Sequence, residues 1–190
     1  MNIAVCASIF IVYGIFIVLY FFINRRNNRT YRRAYIHSFI LYVLCFVAVK
    51  YLPSVKGGGV NFIPFINFLK LEEGVRVFDL AHFFQYILDS VLSMLLFLPL
   101  GVYCGVHFKL NYVTSPRAKL FLFALSVALA AELLQWVLPA ARFTDIDDVI
   151  FNVLGAALGF YIFNRIQGRP AVHNFLKKIR LSSDVDHILS

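Results

Sequence analysis

Apolar residues in this chain gather into blocks instead of alternating with polar ones. Five blocks, at about 3–23, 34–52, 84–106, 118–138 and 147–164, are each close to the ~20 residues an α-helix needs to cross a bilayer. Backbone groups in lipid must bond within their own segment, so these blocks are expected to be helices. The pattern predicts an all-α, polytopic helical membrane protein with about five transmembrane helices in residues 1–164. A basic tail at 165–190 follows. The first block has no charge from Met1 to Asn24 and no Lys or Arg before it, so it reads as an uncleaved anchor.

The segments between the blocks are short, with one exception. The loop 53–83 opens with Pro53 and Gly57-Gly58-Gly59 and continues NFIPFINFLKLEEGVRVFD from Asn61 to Asp79. Its apolar run from Phe62 to Leu71 is too short to span, so a partly interfacial or re-entrant piece is expected. It is read either as a loop resting on headgroups or as a wall over a site shared with later acids. In the third block Asp89 lies toward the start. Pro99 removes a backbone donor there, so a kink is expected.

Charge orients the blocks. Hydrophobic residues make up 61% of the 190 and charged residues 15%, against about 25% charged in ordinary soluble domains. Arg25, Arg26, Arg29, Arg32 and Arg33 crowd the connection after the first block, and positive charge stays on the cytoplasmic side. Alternation then puts 13 of the 18 basic residues inside, and all acids but Asp184 and Asp186 outside or in the outer half of a span. The expected topology has the N-terminus outside and the C-terminus cytoplasmic, with Lys50, Lys56, Lys70, Arg76 and Arg142 on the outer side. A basic rim facing anionic lipid accounts for the net charge of +8, and no folded basic module points to nucleic acid. Cys6, Cys45 and Cys104 lie in separate apolar blocks with no CxxC, which indicates neither disulfides nor a thiolate metal site.

Polar residues inside the last two blocks carry the candidate chemistry. Glu132 and Gln135 share a helix face. Glu132 lies about thirteen residues beyond Lys119, or ~20 Å along the helix, so a bare carboxylate there is costly and should be neutral, hydrated or paired. Arg142 is the nearest basic candidate. Asp145, Asp147 and Asp148 open the fifth block, where acids bond free amides and face the positive end of the helix. Asp148, Asn152, Gly155 and Gly159 form one polar-to-small stripe, expected to pack against the 118–138 helix. These residues predict a polar pocket near the outer surface, with Asn61 and Asp89 as additional candidates. Asp145-x-Asp147-Asp148 is too short for an EF-hand, and no metal or cofactor is assigned. GxSxG, HExxH and phosphate-loop motifs are absent, and the five histidines lack ligand spacing, which favours binding over catalysis.

Three ordered elements resemble one family. Glu132-x-x-Gln135, Arg142, Asp147-Asp148 and Asn152-x-x-Gly155-x-x-x-Gly159 look like the C-terminal signature of the VanZ-like membrane proteins. Asn61-Phe62-Ile63-Pro64-Phe65 is similar to that family's N-x-I-P-F element, and Phe97-Leu98-Pro99-Leu100-Gly101 to its F-x-P-x-G element. Ser93 stands where the family usually has Asn, which puts an altered pocket in view. The resemblance implies a bacterial, mostly Gram-positive, cell-membrane protein that confers resistance to teicoplanin and related lipoglycopeptides. Its implied partners are membrane lipid and either the lipoglycopeptide or a lipid-linked cell-wall precursor. A membrane enzyme acting on a lipid headgroup or isoprenoid phosphate stays open as the alternative.

Overall fold

The computed structural model describes residues 28–51, 60–72, 75–137 and 144–188. The block at 3–23 and Arg142 lie outside them. Five helices are described: α1 (Asn28–Tyr51), α2 (Leu80–Leu110), α3 (Pro116–Val137), α4 (Ile146–Ile166) and α5 (Pro170–Ile188). The first four are long and apolar enough to cross a membrane. Two short strand pairs join them. β1 (Val60–Asn61) runs parallel to β4 (Thr144–Asp145), and β2 (Lys70–Glu72) pairs antiparallel with β3 (Val75–Val77).

Helix ends depart from the apolar blocks for local reasons. Arg32 and Arg33 are helical, part of α1 rather than a loop, because Arg is a good helix former. α2 starts at Leu80 because Asp79 caps it, accepting from the Ala81 N–H at 2.9 Å. Its 31 residues extend about 46 Å, longer than the ~30 Å hydrocarbon core. It runs helical through Pro99.

Contacts between helices set their directions. The Tyr42 hydroxyl donates to the Leu96 carbonyl at 3.0 Å and the Tyr35 hydroxyl to the Tyr103 carbonyl at 3.2 Å, so α1 is antiparallel to α2. The rings of Phe39 and Tyr103, and of Phe46 and Phe97, meet edge-on in the same seam. α2 and α4 touch through glycine. A Cβ on Gly155 would sit 2.1 Å from the Met94 carbonyl oxygen, and one on Gly159 2.0 Å from that of Leu98. These contacts advance together along both chains, so α2 and α4 run parallel.

The small-residue stripe therefore packs on α2, a correction to its expected packing on the 118–138 helix. The reason is reciprocal, since Gly101 on α2 opens the facing groove, 1.9 Å from the Ala156 carbonyl oxygen for any added Cβ. On the outer surface of α1, Ile36, Ile40, Leu44 and Val47 are exposed at helical spacing, an apolar stripe suited to lipid. Much of the tail, Pro170–Ile188, is helical too. Leu176 and Ile179 of α5 are buried, Leu176 against Val106 and Phe163, and Lys178 donates to the Tyr31 hydroxyl at 3.0 Å.

Candidate functional site

The polar residues meet where α1 and α3 end and α2 and α4 begin. Lys50 is the centre of this cluster. Its ammonium lies 2.8 Å from Glu132 Oε1 and 3.5 Å from Asp148 Oδ2. Lys50 is 5% exposed and Glu132 3% exposed, so this is a buried, charge-assisted pair. Asp148 is held on its other oxygen by the Ser93 hydroxyl at 2.8 Å. Gln135 donates to the Lys50 carbonyl at 3.1 Å and so satisfies one of the open carbonyls at the end of α1. Two carboxylates face one ammonium here, an arrangement that attracts cationic groups and donors more than anions.

The loop after α1 folds over the start of α4. Parallel pairing sets Asn61 beside Asp145, and the Asn61 amide donates to Asp145 Oδ1 at 3.1 Å. The Asn67 amide donates to the other oxygen of Asp145. Asp145 also caps α4, accepting from the Asp147 N–H at 3.1 Å. Burial pushes the Asp145 carboxyl above its usual range, opposed by these bonds from Asp147 and Asn67. Asp147 accepts from the Phe65 N–H at 2.8 Å and the Tyr86 hydroxyl at 3.1 Å. Phe65 has a φ of 60°, the left-handed region that a bulky residue avoids, so the loop is held in a costly conformation where it meets Asp147. Arg76 ties the β2–β3 hairpin down by donating to the Ile66 and Leu69 carbonyls at 3.3 and 3.2 Å. Phe62 and Ile63 on the same loop are exposed.

Asn67→Ala is expected to loosen this cover. Loss of one bond to a partly buried carboxylate costs about 1–2 kcal/mol, felt locally. Amide exchange over residues 60–69 should quicken while α2 and α4 stay protected. Unchanged exchange in the loop would mean that Asp145 does not hold it.

Among the described residues, Asn152 and Gln135 have side-chain atoms without partners. Asn152 is fully buried, and neither its side-chain nitrogen nor its oxygen has a hydrogen-bond partner. The side-chain oxygen of Gln135 is likewise unpartnered. Such atoms cost free energy unless water or a ligand meets them.

Glu132, Gln135, Asp145, Asp147, Asp148, Asn61 and Ser93 thus gather at one end of the bundle. Asn152 lies one turn beyond Asp148. Asp89 is half-buried on α2, four residues before Ser93, and the bonds described here run through Ser93 instead. The sequence proposed Arg142 as the partner of Glu132. Arg142 lies outside the described residues; among those described Lys50 pairs with Glu132, although its place at the end of an apolar block reads as an ordinary interfacial cation. Its only signal was that it precedes Tyr51-Leu52-Pro53 and so ends the same helix that must pack beside Glu132.

The profile of the VanZ/LLP1 family matches residues 5–167. The chain belongs to the VanZ/LLP1 family. Four helices suited to crossing a bilayer and this membership make it a multi-pass membrane protein of that family. Searches among curated proteins and among solved structures give no significant match. The three sequence elements that resemble VanZ-like proteins converge in space. The N-x-I-P-F element binds Asp145 and Asp147, and Ser93, in the place of an Asn, still binds Asp148. Gly101 of the F-x-P-x-G element opens the α2–α4 contact.

Proposed function

We propose that this VanZ/LLP1 protein lowers susceptibility to teicoplanin and related lipoglycopeptides without covalent chemistry. A polar pocket facing the outer leaflet limits access of the drug to that leaflet or to a lipid-linked cell-wall precursor. The observation that supports this reading is the buried Lys50–Glu132 pair with half-buried Asp148 beside it, next to the loop 60–69 that bonds Asp145 and Asp147. An acylated drug would anchor in the membrane with its peptide part at the interface, and the exposed apolar side chains of Phe62 and Ile63 on this loop support a cover at that level. The neighbouring unpartnered oxygen of Gln135 and amide of Asn152 supply recognition capacity.

The acids argue for binding over catalysis. Asp145, Asp147 and Asp148 each accept on both oxygens from protein donors. A general base must be basic enough to take the substrate proton, and donors bound to both oxygens favour the ionised form and lower that basicity.

The test is susceptibility of a sensitive Gram-positive host producing the protein. Teicoplanin tolerance is expected to rise and vancomycin tolerance, without the acyl anchor, to change less. Extracted lipids and cell-wall precursors should keep their profile. No rise in teicoplanin tolerance contradicts the proposal. A rise accompanied by a new lipid or precursor species moves the reading to an enzyme acting on a headgroup or isoprenoid phosphate.

A further inference from the structure

A second feature lies at the opposite end of the bundle from the acids. A groove of about 780 Å³ runs between α3 and α4. Leu120, Ala124, Val153 and Ala157 are among its apolar walls. Arg117 and Arg165, both exposed, line it at the helix ends, with Asn164 and Gln167 beside them. None of its lining residues is acidic. Among the described residues neither guanidinium has a carboxylate partner.

Arg165 is held in place. Its Nε donates to the Tyr161 hydroxyl at 2.9 Å, and the guanidinium sits 5.1 Å from the centre of that ring. The two terminal nitrogens remain, the fork that matches a pair of phosphate oxygens. From Arg165 back to Val153 the groove follows twelve residues of helix, ~18 Å. That is close to the ~15 Å half-thickness of a hydrocarbon core, the depth one acyl chain fills.

We propose that this groove binds an anionic phospholipid, with its phosphate between Arg117 and Arg165 and one acyl chain laid between α3 and α4. Two cations at one end and an apolar trough at lipid-chain length fit such a molecule and no free anion. A zwitterionic lipid offers the same chain but carries its own ammonium to the arginines. The site is separate from the acid cluster and does not depend on its role.

Native mass spectrometry of the full chain, released from detergent, tests this. Phosphatidylglycerol and phosphatidylcholine with identical chains are compared, and glycerol 3-phosphate serves as a headgroup without chains. Phosphatidylglycerol should be retained preferentially. Arg117→Gln with Arg165→Gln should cut that preference about 25-fold, roughly fivefold per arginine. Ala157→Trp fills the trough from an exposed position and should reduce retention with both arginines intact, so one variant still reports if the other misfolds. Lys109→Gln with Arg169→Gln, basic residues outside the groove, should change nothing. Equal retention of the two lipids overturns the proposal. So does an equal loss in the Lys109 and Arg169 pair, or displacement of the lipid by equimolar glycerol 3-phosphate.

Discussion

Lys50→Met is expected to destabilise the protein by about 3–5 kcal/mol, because removing one partner of a buried ion pair strands the other. Glu132 loses the ammonium 2.8 Å away, and Asp148 the one at 3.5 Å. The two carboxylates then repel across a space of low dielectric. Adding Glu132→Gln should recover more than half of the loss, since a neutral amide needs no counter-charge. Thermal unfolding of the purified protein in one detergent measures both. An unchanged midpoint for Lys50→Met would show that the ammonium contributes nothing net. A double variant no more stable than Lys50→Met alone would show that Glu132 has other work in the fold.

The second large effect is expected at the α2–α4 seam. Gly101→Ala places a methyl 1.9 Å from the Ala156 carbonyl oxygen, and Gly155→Ala one 2.1 Å from that of Met94. Both obstacles are backbone, so no side chain can turn aside and the helices must part. Overpacking of this kind costs about 1–3 kcal/mol, and backbone contacts belong at the upper end. The pair should be sub-additive, because helices already forced apart by one methyl admit the second more cheaply. Gly168→Ala, with nothing within 4 Å of its added Cβ, should leave stability unchanged. The measurement is the fraction of monodisperse protein surviving a heating series. Wild-type survival of Gly101→Ala would contradict so close an approach of α2 and α4.

The seam also governs the site. Ser93, Tyr86 and Met94 lie on the part of α2 that faces the start of α4, so parting the helices moves the hydroxyls that hold Asp147 and Asp148. A glycine variant that still folds should therefore lose function as well as stability.

Much of this arrangement was legible in the sequence. Long apolar blocks report helices directly, because lipid permits no other way to satisfy their backbone. The acids at 145–148 announced a helix start, and Asp145 does cap α4. Partners were harder to read. The spacing of Asp148, Asn152, Gly155 and Gly159 shows that they share a face, but a periodicity carries no information about which helix lies opposite. That was decided by Gly101, in a motif whose proline drew attention away from its glycine. Lys50 was hidden for a similar reason, since a lysine ending an apolar block is normally a snorkelling side chain. Here it turns inward because Glu132 and Asp148 converge on it from two other helices. The β1–β4 pairing has only two residues per strand and links positions 84 apart, too short a pattern for any local signal.

The proposed function requires the Lys50–Glu132–Asp148 cluster to work on the drug, beyond clamping the fold. Teicoplanin tolerance of the neutralised variant, Lys50→Met with Glu132→Gln and Asp148→Asn, separates the two roles at membrane levels matched to the intact protein. Loss of the charges removes the counter-charge problem together with the site's field, so the variant should fold. A folded protein that no longer raises teicoplanin tolerance is expected. Full tolerance in that variant would contradict it, and would leave the cluster a structural element with the working surface elsewhere.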